Sequence, residues 1–113
     1  GLGGVYQHGT RSFAGPDTRA AIEQLSVDAV LLSAVAVGPD GLFCTNPLDA
    51  ETKQLLRRAA RRAVLLVDHT KLTASAPLRF ATLEQVDTVV TDTGITDEDL
   101  EMLRSAVREV VVA

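Results

Sequence analysis

Apolar residues along this chain follow two different spacings in turn. Residues 28–37 are almost continuously apolar, as expected of a parallel strand covered on both faces. The Gly-Pro-Asp-Gly stretch at 38–41 then ends the run with a turn. From Leu48 the apolar positions fall at 48, 55, 56, 59, 60 and 63, which is helical spacing, and Lys53, Arg57, Arg58, Arg61 and Arg62 occupy the remaining face. That spacing predicts an amphipathic helix over 48–63. Residues 63–68 and 87–92 read as two further short buried strands, with room for one helical turn at 82–86. Thr96 followed by Asp97, Glu98 and Asp99 has the form of an N-cap with acidic residues in the first turn, where the helix dipole favours them. Leu100, Leu103 and Val107 continue that helix, and residues 109–112 predict a last strand.

Ahead of these elements, Pro16 and Asp17 open a predicted helix reaching about Leu25, with Ala20, Ala21, Ile22 and Leu25 on its buried face. Residues 1–6 and 11–14 read as strand pieces around a glycine-rich start. Strands alternating with helices predict an α/β fold, a mostly parallel sheet with helices on its faces. Ligands of such sheets bind beyond the carboxyl ends of the strands. Three predicted strands end there in polar loops, at residues 38–41, 68–71 and 91–94.

Composition narrows the class. The 113 residues are 46% apolar with a single cysteine, Cys44. This excludes disorder and an internal disulfide scaffold, and it suits a reducing compartment. The longest uncharged apolar run, 29–38, is shorter than the roughly 18 residues a membrane-spanning helix needs. No basic-then-apolar leader opens the chain, so a cytoplasmic protein without membrane contact is expected. A net charge of −4 has the wrong sign for a nucleic-acid surface, which points to a small ligand.

The Asp-His-Thr-Lys segment at 68–71 places a carboxylate, an imidazole, a hydroxyl and a cation at one strand end. Lys71 is a point charge suited to a phosphate or carboxylate, and Asp68 and Thr70 are suited to sugar hydroxyls. Equally, Asp68 can simply cap the loop. His69 reads as a surface or packing residue before it reads as a base. Thr91, Asp92, Thr93 and Gly94 repeat the strand-end logic, against the alternative of a turn held by Asp92. Gly3, Gly4 and Gly15 either let backbone approach a ligand or merely turn the chain. The basic stripe of Lys53, Arg57 and Arg61, with Arg58 and Arg62 alongside, reads as a solvated helix face on which Asp49 pairs with Lys53. Cys44 reads as a packing residue, and His8 and His69 in unlike contexts make no metal site. No complete phosphate-cradling glycine motif occurs, and no cofactor is expected.

Taken in order, the segments resemble the C-terminal effector-sensing domain of DeoR-type bacterial transcriptional regulators. The resemblance is carried by Gly3-Gly4, by Phe13 to Gly15, by the Asp28 strand, by Gly41-Leu42 with Asn46, by Ala50, Glu51 and Lys53, by the Asp-His-Thr-Lys segment in place of the family's Asp-Ser-Ser-Lys, and by Asp87 with the Thr91-Asp92 pair. It implies the sugar-phosphate isomerase/deaminase type of fold, shared with coenzyme A transferases, with its first strands missing. It also implies a non-enzymatic domain over 1–113 that senses a phosphorylated sugar or similar metabolite, self-associates as a homo-oligomer, and meets DNA only through an N-terminal domain outside the chain. Asp68, Thr70, Lys71, Asp92 and Gly41 are the implied ligand-binding residues. The resemblance further implies a fragment, without the family's DNA-binding module and without the Gly-Thr-Thr loop offered to a phosphate. Ser33, Val35 and Ala36, then Phe43 and Cys44, stand where relatives have glycines, an acid or amide, and two threonines. This implies a more apolar ligand or a degenerate site.

The competing reading from the shared fold is an enzyme of the sugar-phosphate isomerase or deaminase type, for which only Asp68 with His69 offers an acid/base pair. A receiver-like phosphoacceptor role for Asp68 would need an acidic pair after an earlier strand. Val35, Ala36 and Val37 stand there instead.

Overall fold

The computed structural model describes residues 5–7, 12–14 and 26–113. Nine strands and two α-helices are described. A short antiparallel pair, β1 (Val5–Gln7) and β2 (Ser12–Ala14), comes first. The helix expected over 16–25, and Gly3, Gly4 and Gly15, lie outside the described residues.

The centre is a four-stranded parallel sheet, β3 (Val27–Leu32), β6 (Ala60–Leu66), β8 (Thr88–Thr91) and β9 (Glu109–Val112), side by side in that order. Helix α1 (Pro47–Ala59) lies between β3 and β6, and α2 (Asp97–Ala106) between β8 and β9. An antiparallel sheet of β4 (Ala36–Gly38), β5 (Gly41–Cys44) and β7 (Leu78–Ala81) stands beside it. The α/β class, the mostly parallel sheet and the last strand match the sequence pattern.

Both helices begin where side chains favour it. The Asn46 carboxamide oxygen accepts the Leu48 and Asp49 amides at 2.9 and 3.1 Å, with Pro47 in the first turn. The Thr96 hydroxyl accepts the Asp99 amide at 3.1 Å. Gly41 has a φ of +132°, and a Cβ there would lie 2.4 Å from the Ala81 carbonyl oxygen, so the turn into β5 and its approach to β7 both require glycine.

Three expectations are corrected. The apolar run 28–37 is not one strand. It breaks at Ser33–Val35 into β3 and β4, which belong to different sheets. Nor is its first half covered on both faces, since Leu31 is 67% exposed. The helix ends at Ala59, so Arg61 and Arg62 belong to strand β6 and the basic stripe is not one helix face.

Strand register explains the exposure. The crossovers β3–α1–β6 and β8–α2–β9 advance across the sheet in the same direction, and right-handed crossovers then set both helices on one face. That face carries Leu32, Ala63, Leu65, Val67 and Val89, all in the core with Ala50 of α1 and Leu103 of α2. The opposite face carries Leu31, Val64, Leu66, Val90 and Val111. Leu66 is 45% and Val111 40% exposed. Towards the strand starts this face turns polar, where Arg62 donates to the Thr88 hydroxyl, which donates to Glu109.

Candidate functional site

β6 and β8 are parallel neighbours, and the amide of Val67 extends their ladder to the Val90 carbonyl. The loops that follow these strands therefore emerge side by side. Asp68, Thr70, Lys71 and Asp92 all stand on them.

Asp68 begins a 3-10 turn, His69–Leu72. Its Oδ1 accepts the Thr70 amide at 2.8 Å and the Thr70 hydroxyl, and its carbonyl accepts the Lys71 amide. The Thr70 hydroxyl, aided by the Thr70 amide, holds the Asp68 carboxyl below the usual aspartate range. Asp68 is thus the cap of this turn, and it stays ionised at the mouth of the loop.

His69 joins the two loops. Its backbone amide donates to Asp92 Oδ1 at 3.0 Å, and its Nδ1 lies 2.9 Å from Asp92 Oδ2 and 3.0 Å from Oδ1. Because a carboxylate only accepts, Nδ1 carries the proton in this contact. The His69 side chain lowers the Asp92 carboxyl from its ordinary value. A Cβ on Gly94 would fall 2.4 Å from His69 Nδ1, so the ring occupies space that only glycine at 94 leaves open.

Lys71 is half-buried, and its ammonium makes no hydrogen bond or ion pair among the described residues. Thr91 is buried, and its Oγ1 also has no partner among the described residues. The two loops thus offer an uncommitted cation beside two ionised carboxylates. Gly41 is buried in the β4–β5 turn, its place set by β7. A groove of about 150 Å³, lined by Val37, Asp40, Phe43 and residues 74–76, runs between that hairpin and the chain just after the 3-10 turn.

Sequence reasoning named Asp92 but not its contact with His69, because the two are far apart in sequence and only the pairing of β6 with β8 brings them together. Lys53 is no solvated stripe residue. Its Nζ donates to the Ser33 carbonyl at 2.8 Å just beyond β3, pairs with Asp49 at 3.2 Å, and sits 4.9 Å from the Phe80 ring centroid. The i, i+4 spacing had signalled the Asp49 contact alone. Cys44 is buried, its thiol pushed up by burial, so it is a packing residue.

The sequence model of the DeoR C terminal sensor domain matches residues 1–93. The chain is 36% identical over 95 residues to the transcriptional repressor AccR of Agrobacterium fabrum, a match covering 82% of this chain and 37% of that protein. It is 30% identical over 105 residues to the HTH-type transcriptional regulator GlpR of Haloferax volcanii, covering 92% and 41%. To the L-fucose operon activator of Haemophilus influenzae it is 27% identical over 96 residues, covering 84% and 39%. The chain thus spans about two-fifths of the length of these curated relatives.

Proposed function

The chain belongs to the DeoR C-terminal sensor-domain family, and we propose that its loops after β6 and β8 bind the anionic group and hydroxyls of a phosphorylated sugar or related metabolite. The observation that carries this reading is the half-buried Lys71 ammonium, uncommitted within the described residues, on a loop that His69 ties to Asp92. In the proposed site Lys71 meets the anion, while Asp68 and Asp92, both held ionised, accept from sugar hydroxyls. Thr70 orients Asp68, and Gly41 shapes the neighbouring hairpin. Titration calorimetry of the chain with phosphorylated sugars, before and after Lys71→Ala, tests this.

The family is a sensor rather than a catalytic domain, and the relatives are named as transcriptional regulators. His69 Nδ1 is engaged by Asp92. In the proposed whole protein the chain forms part of a sensor domain, operator binding belongs to a separate DNA-binding domain, and the protein works in the cytoplasm. No helix among the described residues is long and apolar enough to cross a membrane.

The proposed oligomer forms through the open sheet face. Parallel sheets are covered on both faces, and here Leu31, Leu66 and Val111 make an exposed apolar patch with the polar Arg62, Thr88 and Glu109 along one side. A second copy of this chain presents the same patch, as a two-fold interface requires.

A further inference from the structure

Away from the Asp68 and Asp92 loops, a cavity of about 370 Å³ opens between α1, β7 and a second 3-10 turn, Leu83–Gln85. Three arginines line it, Arg57 and Arg58 from α1 and Arg79 from β7, together with the polar Gln54, Thr82 and Gln85. No acidic side chain lines it.

The three guanidinium groups are unequal. Arg57 is committed: its Nε donates to the Gln85 carbonyl, its Nη1 donates to the Ala60 carbonyl at 3.1 Å, and its Nη2 lies 3.6 Å from the Asp87 carboxylate. It ties the end of α1 to the second turn and forms part of the cavity wall, with its charge offset by Asp87. Arg58 and Arg79 each make one long contact to a carbonyl, Nε to Gln54 at 3.5 Å and Nη1 to Asp40 at 3.4 Å. Neither has a carboxylate partner among the described residues. Two guanidinium groups without a carboxylate partner among the described residues therefore line one cavity, with room between its walls for an anion to join them.

We propose that this cavity is a second anion-binding site, in which Arg58 and Arg79 clamp a phosphate group of a small metabolite while Gln54, Thr82 and Gln85 hydrogen-bond the rest of the molecule. A phosphate monoester carries close to two negative charges near neutral pH, matching the two free cations. Guanidinium forks suit its oxygens in paired hydrogen bonds. The volume suits a ligand of a few carbons bearing one phosphate.

The site is separate from the loops described above. Arg57 and Arg58 precede the start of β6 at Ala60, and Gln85 precedes the start of β8 at Thr88, whereas Asp68 and Asp92 follow the ends of those strands. The seven residues of β6 put roughly 20 Å between the two ends, at about 3.3 Å per residue. Occupancy of one site leaves the other open.

The test is an amide-shift titration of the 113-residue chain with inorganic phosphate, and in parallel with glycerol 3-phosphate, at constant ionic strength. Saturable shifts are expected at residues 54–58 and 79–85, with a midpoint of about 10 mM or lower. Arg58→Gln and Arg79→Gln are each expected to weaken binding about tenfold or more, as loss of a charge-assisted contact implies. Both side chains are exposed, and an unchanged circular dichroism spectrum will show that the variants fold. Lys71→Ala is expected to leave the shifts at residues 54–58 and 79–85 unchanged, while any shifts in the loops after β6 and β8 change. Shifts that stay linear, or saturation unaffected in both arginine variants, would overturn the proposal. So would duplex DNA moving the same residues when neither phosphate does, because the cavity would then be reading a nucleic-acid backbone.

Discussion

His69 gives both its backbone amide and its ring Nδ1 to the carboxylate of Asp92, fastening the loop after β6 to the loop after β8. Neither residue alone carries a signal of this. The contact exists because β6 and β8 are parallel neighbours, and because Gly94 leaves the ring its space.

Gly94→Val is therefore expected to displace the His69 ring and cost about 1 to 3 kcal/mol, as overpacking does. Hydrogen exchange of the His69 amide should speed up several-fold as its bond to Asp92 is lost. Urea denaturation and amide exchange check this. Unchanged exchange would mean that the ring does not hold the loops together.

The acid limb of stability follows from the two carboxylates. Asp68 and Asp92 both have their affinity for protons lowered in the folded state, by Thr70 and by His69 respectively. Groups of this kind contribute stability that is fully present above the ordinary aspartate value of 3.8 and is lost as pH falls through the lower folded value. Stability should thus stay level on this account from neutral pH down to about 4, then fall. In Asp68→Asn and Asp92→Asn that fall should be shallower, as measured by urea midpoints between about pH 2.5 and 7.

Much of this fold was legible in the sequence. β9 was readable because Val110 to Val112 follow a helix whose cap, Thr96, is explicit. The break of the 28–37 run was not, because Ser33, Ala34 and Val35 read alike whether the chain continues in one sheet or leaves for another. The end of α1 was hidden as well. Ala, Ala, Arg, Arg, Ala carries neither a clear helical nor a clear alternating signal, and the boundary is marked by a local contact, Arg57 to the Ala60 carbonyl, that only the folded chain shows. β7 was missed because Arg79 interrupts a four-residue strand whose partner β5 lies far back in the chain. Of the candidate site, Asp68, Thr70 and Lys71 were visible as one cluster, whereas the His69–Asp92 tie depends on strand pairing that no local pattern encodes.

The open face of the parallel sheet predicts self-association. Light scattering across a tenfold dilution should give a mass near twice 12.0 kDa at the higher concentrations. Leu31→Lys with Leu66→Lys should return it to 12.0 kDa without unfolding, since both side chains are already exposed. A wild-type mass of 12.0 kDa throughout would contradict association through this face.

Calorimetric titration of the chain and its Lys71→Ala variant with a panel of phosphorylated sugars decides whether the loops after β6 and β8 form the binding site. The account predicts saturable binding of at least one of them, weakened in the variant by about 1.5 to 3 kcal/mol, or roughly ten- to a hundredfold. The denaturation midpoint should be almost unchanged, because the Lys71 ammonium holds nothing else in place among the described residues. Equal affinities for wild type and variant would remove Lys71 from the site and contradict the account.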